Sequence, residues 1–194
     1  MVIVGSVYRQ TARTRILDAA EELFSGGGYD ATPTARIAEL AGVPKGLLFH
    51  YFPRKIDVLI SLVDERTLVT EYDAEEVVER EAAAAPGDAA GALSRLARRL
   101  PLHASPAMRR ILFREADTHL SVRERLGRLN AEIIKRARFA LELAMPGGRG
   151  DAARLEAAAA TFAAVLLYQE SICQLTGHHI DPDAVAELIA HALG

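Results

Sequence analysis

The sequence has no tryptophan, a single cysteine and no apolar stretch long enough to cross a membrane. Because Cys173 stands alone, an intrachain disulfide is excluded, as is usual for proteins of a reducing compartment. A bilayer span needs about 20 apolar residues in a row, and the apolar start Met1–Val7 has neither the charged segment nor the length of a signal peptide. These absences predict a cytoplasmic protein that does not insert into membranes.

Runs of strand-forming residues are also scarce, whereas alanine and leucine recur at helical spacing. Half of the 194 residues are hydrophobic, which is enough for a core but not for two large independent domains. The composition therefore predicts an all-α protein of about nine helices. We expect a three-helix N-terminal module at residues 1–54 and a larger helical domain at residues 55–194.

The net charge of −3 is unusual for a protein that binds nucleic acid, but the charge is unevenly distributed along the chain. Residues 1–55 contain seven basic and five acidic side chains, a net charge of +2. The remaining residues contain 16 basic and 21 acidic side chains, a net charge of −5. A phosphate-binding surface is therefore expected in the N-terminal part of the chain.

Two helices are predicted at the start of the N-terminal module. From Thr11, apolar side chains recur every three or four residues up to the glycines Gly26–Gly28, which end the first helix. Thr32 is predicted to cap a second helix in which Pro33 is the first residue. This helix runs to Leu40.

A turn at Ala41–Val43 and a third helix beginning at Pro44 complete a helix-turn-helix pattern, because Gly42 can adopt the positive φ of a tight turn. The side chains predicted to face inward are Ile37, Leu40, Val43, Leu48 and Phe52. Those predicted to project outward are Lys45, Leu47, Phe49, His50 and Tyr51. This outward mixture of charge, hydrogen-bonding groups and apolar surface suits a DNA major groove. The alternative is an ordinary three-helix cluster with the aromatic side chains in its core.

Four segments carry a more specific signal: Gly28–Thr32, Arg36–Val43, Lys45–Phe52 and Lys55. In this order and spacing they resemble the TetR family of bacterial repressors, over the stretch from Thr11 to Leu59. The resemblance implies an all-helical homodimer. Each N-terminal module would present a recognition helix to double-stranded operator DNA, and the C-terminal helices would form a ligand pocket and the dimer interface.

Carried over by position, the resemblance implies DNA contacts from Thr34, Pro44, Lys45, Leu47, Phe49, His50, Tyr51 and Lys55. Lys55 would meet phosphate at the start of the fourth helix. Leu47 and Phe49 replace the threonine and tyrosine common in the family, so Leu47 can only pack, for instance against a thymine methyl, and Phe49 cannot donate to phosphate. Pro33 stands where the family usually has a capping threonine.

The rest of the chain is predicted to be helical, beginning with a long helix from Ile56 to Glu81. Further helices are predicted at Ala89–Arg99, Pro106–Ala116 and Val122–Met145. After the loop Pro146–Gly150, Asp151 is predicted to cap a helix that runs to Thr176, and a last helix starts at Asp181–Asp183. The last two helices carry more apolar surface than one neighbour can cover, which fits equally a homodimer formed through both and burial within one chain. The resemblance favours the homodimer.

Aromatic and polar side chains among these helices are candidates for an effector pocket: His103, Phe113, His119, Tyr168 and Gln174. Polar groups in an apolar helix need partners, and neighbouring helices could supply them as well as a ligand. Because the surrounding residues are mostly apolar, we expect a small apolar or amphipathic effector.

No pattern typical of catalysis is present in the sequence. His178, His179 and Asp181 are close together, but adjacent histidines point in different directions and no further ligand follows at a metal-site spacing. Gly26–Gly28 lacks the strand and helix context of a nucleotide-binding loop. We therefore expect no metal, no cofactor and no enzymatic activity. The alternatives to an effector-released repressor are a regulator controlled by a protein partner and a small helical enzyme.

Overall fold

The computed structural model describes residues 11–67, 86–99, 105–145 and 151–194, and these ranges contain nine α-helices and no β-strand. The helices are α1 (Ala12–Gly27), α2 (Thr34–Leu40), α3 (Lys45–Tyr51), α4 (Lys55–Thr67), α5 (Ala89–Arg99), α6 (Pro106–Ala116), α7 (Leu120–Ala144), α8 (Ala152–Thr176) and α9 (Pro182–Leu193). The all-α prediction is confirmed. Within the described ranges, no helix is both long and apolar enough to span a membrane. Residues 68–81 of the predicted long helix and the predicted loop Pro146–Gly150 lie outside the described residues.

Helix α1 begins and ends where the sequence predicts. The Thr11 hydroxyl caps it by accepting a hydrogen bond from the Thr14 amide at 3.2 Å. At the other end Gly28 has a φ of 87°, which favours glycine, and its amide donates to the Phe24 carbonyl at 2.9 Å. Phe24 is fully buried, so α1 carries the centre of the N-terminal core.

The start of α2 differs from the prediction. Thr32 does not cap the helix, because its hydroxyl donates to the Gly28 carbonyl at 2.7 Å and to the Leu23 carbonyl at 3.4 Å. Pro33 is the N-cap and Thr34 is the first helical residue, with no side-chain cap. The physical reason is that the Gly28 carbonyl, just after the end of α1, lies within reach of the buried Thr32 hydroxyl, which donates to it and is not available to α2.

The turn between α2 and α3 forms as predicted around Gly42, which has a φ of 62°. The Arg15 guanidinium of α1 donates to the Gly42 carbonyl at 3.4 Å and thereby connects the turn to the first helix. Pro44 precedes α3 as its N-cap and is not its first residue, so the helix begins one residue later than predicted.

The inward face of the helix-turn-helix is confirmed except at one position. Leu40, predicted to face inward, is 47% exposed. The buried face of α2 is centred between Ile37, Ala38 and Ala41, and at about 100° per residue Leu40 lies roughly a quarter turn beyond it. The other predicted inward residues are buried: Ile37, Val43, Leu48 and Phe52.

Helix α4 begins at a cap that the Asp57 side chain makes to Arg54. The Asp57 carboxylate accepts a hydrogen bond from the Arg54 amide at 2.9 Å and two or more from the Arg54 guanidinium, the shortest at 2.6 Å. These side-chain hydrogen bonds lower the pKa of Asp57. The cap fixes the position of Lys55, the first residue of α4.

The larger helical domain is a bundle in which α7 packs along α8, and α5 along α9. Helices α5 and α6 have the predicted bounds, whereas α7 begins two residues before the predicted Val122. Asp151 caps α8 by accepting from the Ala153 amide at 3.2 Å, as predicted. Arg98 of α5 and Asp183 of α9 form an ion pair at 2.8 Å.

The N-terminal helices lie directly against this bundle, with α1 on α6 and α4 on α7. Arg66 of α4 pairs with Asp18 of α1, and Arg125 of α7 pairs with Asp64 of α4 at 2.5 Å. A single hydrophobic cluster runs through both parts. The helix-turn-helix therefore shares one hydrophobic core with the helices of the larger domain.

Candidate nucleic-acid interface

The Leu48 side chain is fully buried and therefore marks the inward face of α3. At about 100° per residue, Gly46 and His50 lie on the opposite side of the helix, and both are exposed. Phe49 and Tyr51 expose 38% and 40% of their surfaces although both are aromatic. The helix therefore presents a glycine, a histidine and two aromatic rings to the solvent.

A cation belongs to the same surface. The Lys45 Nζ lies 5.8 Å from the centre of the Phe49 ring, and the rings of His50 and Tyr51 meet edge to face at 5.5 Å. Exposed aromatic side chains beside a lysine are not typical of a merely solvated helix face. In a major groove they would meet guanine acceptors, thymine methyl groups and phosphates.

The remaining predicted contact residues near α3 differ in exposure. Pro44 is exposed at the start of α3, and Thr34 is half-buried as the first residue of α2. Leu47 is half-buried and packs against the hydrophobic core, so it projects less than predicted. Leu47 is adjacent to the fully buried Leu48, about 100° away around the helix, which brings part of its side chain inward.

Lys55 is held in place at the start of α4. Its Nζ donates to the Asp30 carbonyl at 3.2 Å and lies 4.3 Å from the centre of the Tyr29 ring. The ammonium has three N–H donors, and Asp30 accepts one of them. The side chain is half-buried, and the lysine keeps donors for a phosphate.

Two features of this part of the molecule were missed at the level of sequence. Gly46 is one: it lies four residues before His50 and thus on the same face, a spacing that could have identified it. The contact between Tyr29 and Glu115 is the other. The Tyr29 amide donates to Glu115 Oε1 at 3.2 Å, but the two residues are 86 positions apart, so no local pattern could have paired them.

The Tyr29 ring is buried between the two parts of the chain. It meets the ring of Phe24 at 5.3 Å and the ring of His119 at 4.8 Å, both edge to face. Burial raises the pKa of the Tyr29 hydroxyl, and the nearby carboxylates of Asp30 and Glu115 raise it further. The phenol is therefore neutral at physiological pH, and its ring presents an uncharged π face.

Of the five effector-pocket candidates, the structure brings two into direct contact. The rings of Phe113 and Tyr168 stack at 4.9 Å, between α6 and α8. The His119 Nε2 lies 3.6 Å from Glu115 Oε2, and the His119 ring contacts that of Tyr29. His103 and the side chain of Gln174 lie outside the described residues.

A buried polar group on α8 has no hydrogen-bond partner among the described residues. It is the Oε1 atom of Gln169, the residue that follows Tyr168 in sequence. Buried polar atoms usually find a donor, so this amide oxygen marks a place where one could be supplied. Across the described ranges, no group of three or more side chains could hold a metal ion.

The matched family model is that of "Bacterial regulatory proteins, tetR family", over residues 16–62. The transcriptional repressor KstR of Mycolicibacterium smegmatis is 32% identical over 141 residues, which cover 69% of this chain and 66% of KstR. The chain belongs to the TetR family. The fatty acid metabolism regulator protein of Bacillus subtilis is 42% identical over 52 residues, 27% of each chain.

Likeness to solved structures extends over nearly the whole TetR-family chain. FadR from Bacillus subtilis, solved in complex with stearoyl-CoA, matches with a TM-score of 0.62 and 21% identity, covering 92% of this chain and 96% of FadR. At this identity the match shows the fold. The family match from Ile16 to Leu62 begins in α1 and ends in α4, so it contains the whole helix-turn-helix.

Proposed function

We propose that this TetR-family chain is a transcriptional repressor that binds a palindromic operator as a homodimer and releases it when a small molecule binds. The observation that carries the proposal is the outward face of α3, where Lys45, Phe49, His50 and Tyr51 project from a helix-turn-helix whose inner face is buried. Lys45 would read guanine, Phe49 would pack on thymine methyl groups, and Tyr51 and Lys55 would meet phosphates.

The proposed dimer uses the last two helices. The exposed side of α8 carries small side chains at helical spacing, including Ala157, Thr161 and Ala164, and α9 exposes 72% of Leu188. Small side chains permit two helices to approach closely, and a four-helix arrangement would cover Leu188. Such a dimer would place its recognition helices about 34–36 Å apart, one turn of DNA.

The proposed effector is apolar or amphipathic. FadR from Bacillus subtilis holds stearoyl-CoA, which has a long acyl chain. This chain has the stacked rings of Phe113 and Tyr168, and α8 also carries a buried amide oxygen, Gln169 Oε1, that has no partner among the described residues. A ligand releases DNA only if it binds one arrangement of the dimer more tightly than the other. Tight binding alone would leave the affinity for DNA unchanged.

Operator binding is tested by footprinting and gel shift on the DNA upstream of the gene, at several salt concentrations. We expect a protected palindrome, and we expect Lys45→Ala and Tyr51→Phe to weaken it. Lys135→Ala is the matched control, because Lys135 is an exposed lysine of α7, away from α3. The proposal fails if no palindrome is protected, or if the two variants bind like the wild type.

Effector control is tested by thermal shift with stearoyl-CoA, with coenzyme A lacking the acyl chain as its control. A ligand at 100 times its Kd stabilises the folded state by about 2.7 kcal/mol, or roughly 5–10 °C for a chain of this size. We expect this shift from an amphipathic compound and release of the operator at the same concentration. If no member of an apolar and amphipathic compound library shifts the melting temperature, control by a protein partner replaces control by a small molecule.

A further inference from the structure

Lysine is rare in this chain, which contains only Lys45, Lys55 and Lys135 among its 23 basic residues. Two of the three lie in or beside the helix-turn-helix, and each of these has its ammonium over an aromatic ring. The Lys55 ammonium is the closer, at 4.3 Å from the centre of the Tyr29 ring. A cation at this distance from a ring face is attracted by the quadrupole of the ring.

Tyr29 is in turn held in place by residues of the larger helical domain. Glu115, at the end of α6, accepts the Tyr29 amide, and His119, at the start of α7, packs edge to face on the ring. Glu115 is 4% exposed and Tyr29 is 8% exposed. Arg114 adds hydrogen bonds to the last carbonyls of α1 at 3.4 and 3.5 Å, from the residue next to Glu115. We call Tyr29, Lys55, Glu115 and His119 the Tyr29 junction.

We propose that Tyr29 is a positioning residue for DNA binding: its ring and the adjacent Asp30 carbonyl hold the Lys55 ammonium ready for a phosphate, while Glu115 and His119 hold the ring. The inference rests on the proposed DNA-binding function. It links the junction of α6 and α7 directly to a phosphate contact, since the Tyr29 ring contacts both His119 and Lys55. If the junction of α6 and α7 shifts, the Tyr29 ring moves with it, and the Lys55 ammonium loses its contact with the ring.

The first test measures the position of Lys55 without DNA. In the full chain labelled with [13Cε]lysine, three lysine signals are expected, and Lys55→Arg assigns one of them. The ring current of Tyr29 should shift the Lys55 ε-protons upfield. Tyr29→Phe should keep this shift because the ring remains, and Tyr29→Leu should abolish it. Lys45, over the Phe49 ring, is the internal control and should not move. An unshifted Lys55 signal in the wild type overturns the proposal.

The second test measures salt-dependent affinity for a duplex enriched by the wild-type protein from a random-sequence library. A lost phosphate contact lowers the slope of log affinity against log salt by about 0.9, or about 1.8 for a dimer that loses two. We expect this decrease for Lys55→Ala and for Tyr29→Leu, with no further decrease in the double variant. Tyr29→Phe should retain the wild-type slope because the ring remains, and the absence of a further decrease in the double variant is the result that a general structural loss at Tyr29 would not give.

The outcomes separate the two proposals. If no duplex is enriched, the proposed DNA-binding function fails, whereas the lysine spectrum still tests the junction. If a duplex is enriched but Tyr29→Leu keeps the wild-type slope, or adds its own decrease to that of Lys55→Ala, the positioning role is refuted. If Tyr29→Leu does not fold, Glu115→Ala and Glu115→Gln replace it, because only the glutamine retains an acceptor for the Tyr29 amide. Glu115→Ala should then lower the slope and Glu115→Gln should not.

Discussion

Replacing Gly46 with alanine should stabilise the protein and weaken its binding to DNA. A Cβ atom at Gly46 would meet nothing within 4 Å in the chain, and the φ of this residue is not positive, so alanine fits without strain. Alanine in a helix is more favourable than glycine by about 0.5–1 kcal/mol, or roughly 1–4 °C in Tm for a chain of this size. Because Gly46 lies on the outermost face of α3, the added methyl would hold the helix away from the groove.

The loss of DNA affinity expected for Gly46→Ala has a lower bound. A disturbed base contact costs about 1–3 kcal/mol, so the lower value in each half-site gives about 2 kcal/mol for a dimer. This corresponds to a roughly 30-fold higher Kd. Thermal unfolding measures the first effect, and fluorescence anisotropy with an operator duplex measures the second.

Gly127→Ala is the matched control for Gly46→Ala. Gly127 lies within α7, is exposed, and would likewise place a Cβ in open space. It should raise Tm by a similar amount and leave the Kd for DNA unchanged. If Gly46→Ala binds DNA as tightly as Gly127→Ala does, the outermost face of α3 does not approach DNA closely, and the assignment of the recognition surface is refuted.

Three further variants test other parts of the structure. Thr32→Val removes the hydroxyl that donates to the Gly28 carbonyl, and unfolding in denaturant should show a loss of about 1 kcal/mol; an unchanged stability would show that this bond contributes nothing. Asp57→Asn should weaken the cap of α4 by about 1 kcal/mol at neutral pH. Hydrogen bonds from Arg54 lower the pKa of Asp57 below 3.8 in the folded state. The stability that Asp57→Asn loses relative to wild type should therefore be fully lost above pH 3.8, and the difference should disappear as pH falls through the lower folded pKa. A difference in stability that persists in acid contradicts this cause. Leu188→Glu should shift the equilibrium from dimer to monomer in light scattering, since it places a charge on the proposed interface; an unchanged mass places the interface elsewhere.

Most helices could be predicted from the sequence because their end signals are local. The cap at Thr11, the glycine after α1 and the aspartates before α8 and α9 each act through hydrogen bonds to nearby backbone groups. Thr32 shows the limit of this reasoning. Its hydroxyl had two kinds of backbone partner within reach, the first amides of α2 and the carbonyls of Gly28 and Leu23, and sequence alone could not decide between them.

The outward face of α3 was predicted more completely than the contacts between helices. The helical repeat fixes which residues of α3 face outward once Leu48 is known to face inward. Leu47 is the exception, because it packs partly against the core. His119 was considered for an effector pocket because it ends a helix. The contacts of His119 with Tyr29 and of Tyr29 with Glu115 form only when α1 packs against α6. Such tertiary packing has no local signal in the sequence.

The same packing explains how a protein with a net charge of −3 can present positive charge to DNA. In the described part of the chain, arginines of the N-terminal helices are paired with carboxylates, as Arg13 is with Glu65 and Arg66 with Asp18. Lys45 and Lys55 lie instead over the neutral rings of Phe49 and Tyr29. A ring orients an ammonium without cancelling its charge, whereas a carboxylate would cancel it. Placing the two lysines on aromatic rings therefore leaves their charge available for phosphate, and if Tyr29 positions Lys55 as proposed, loss of the Tyr29 ring should weaken DNA binding as loss of Lys55 does.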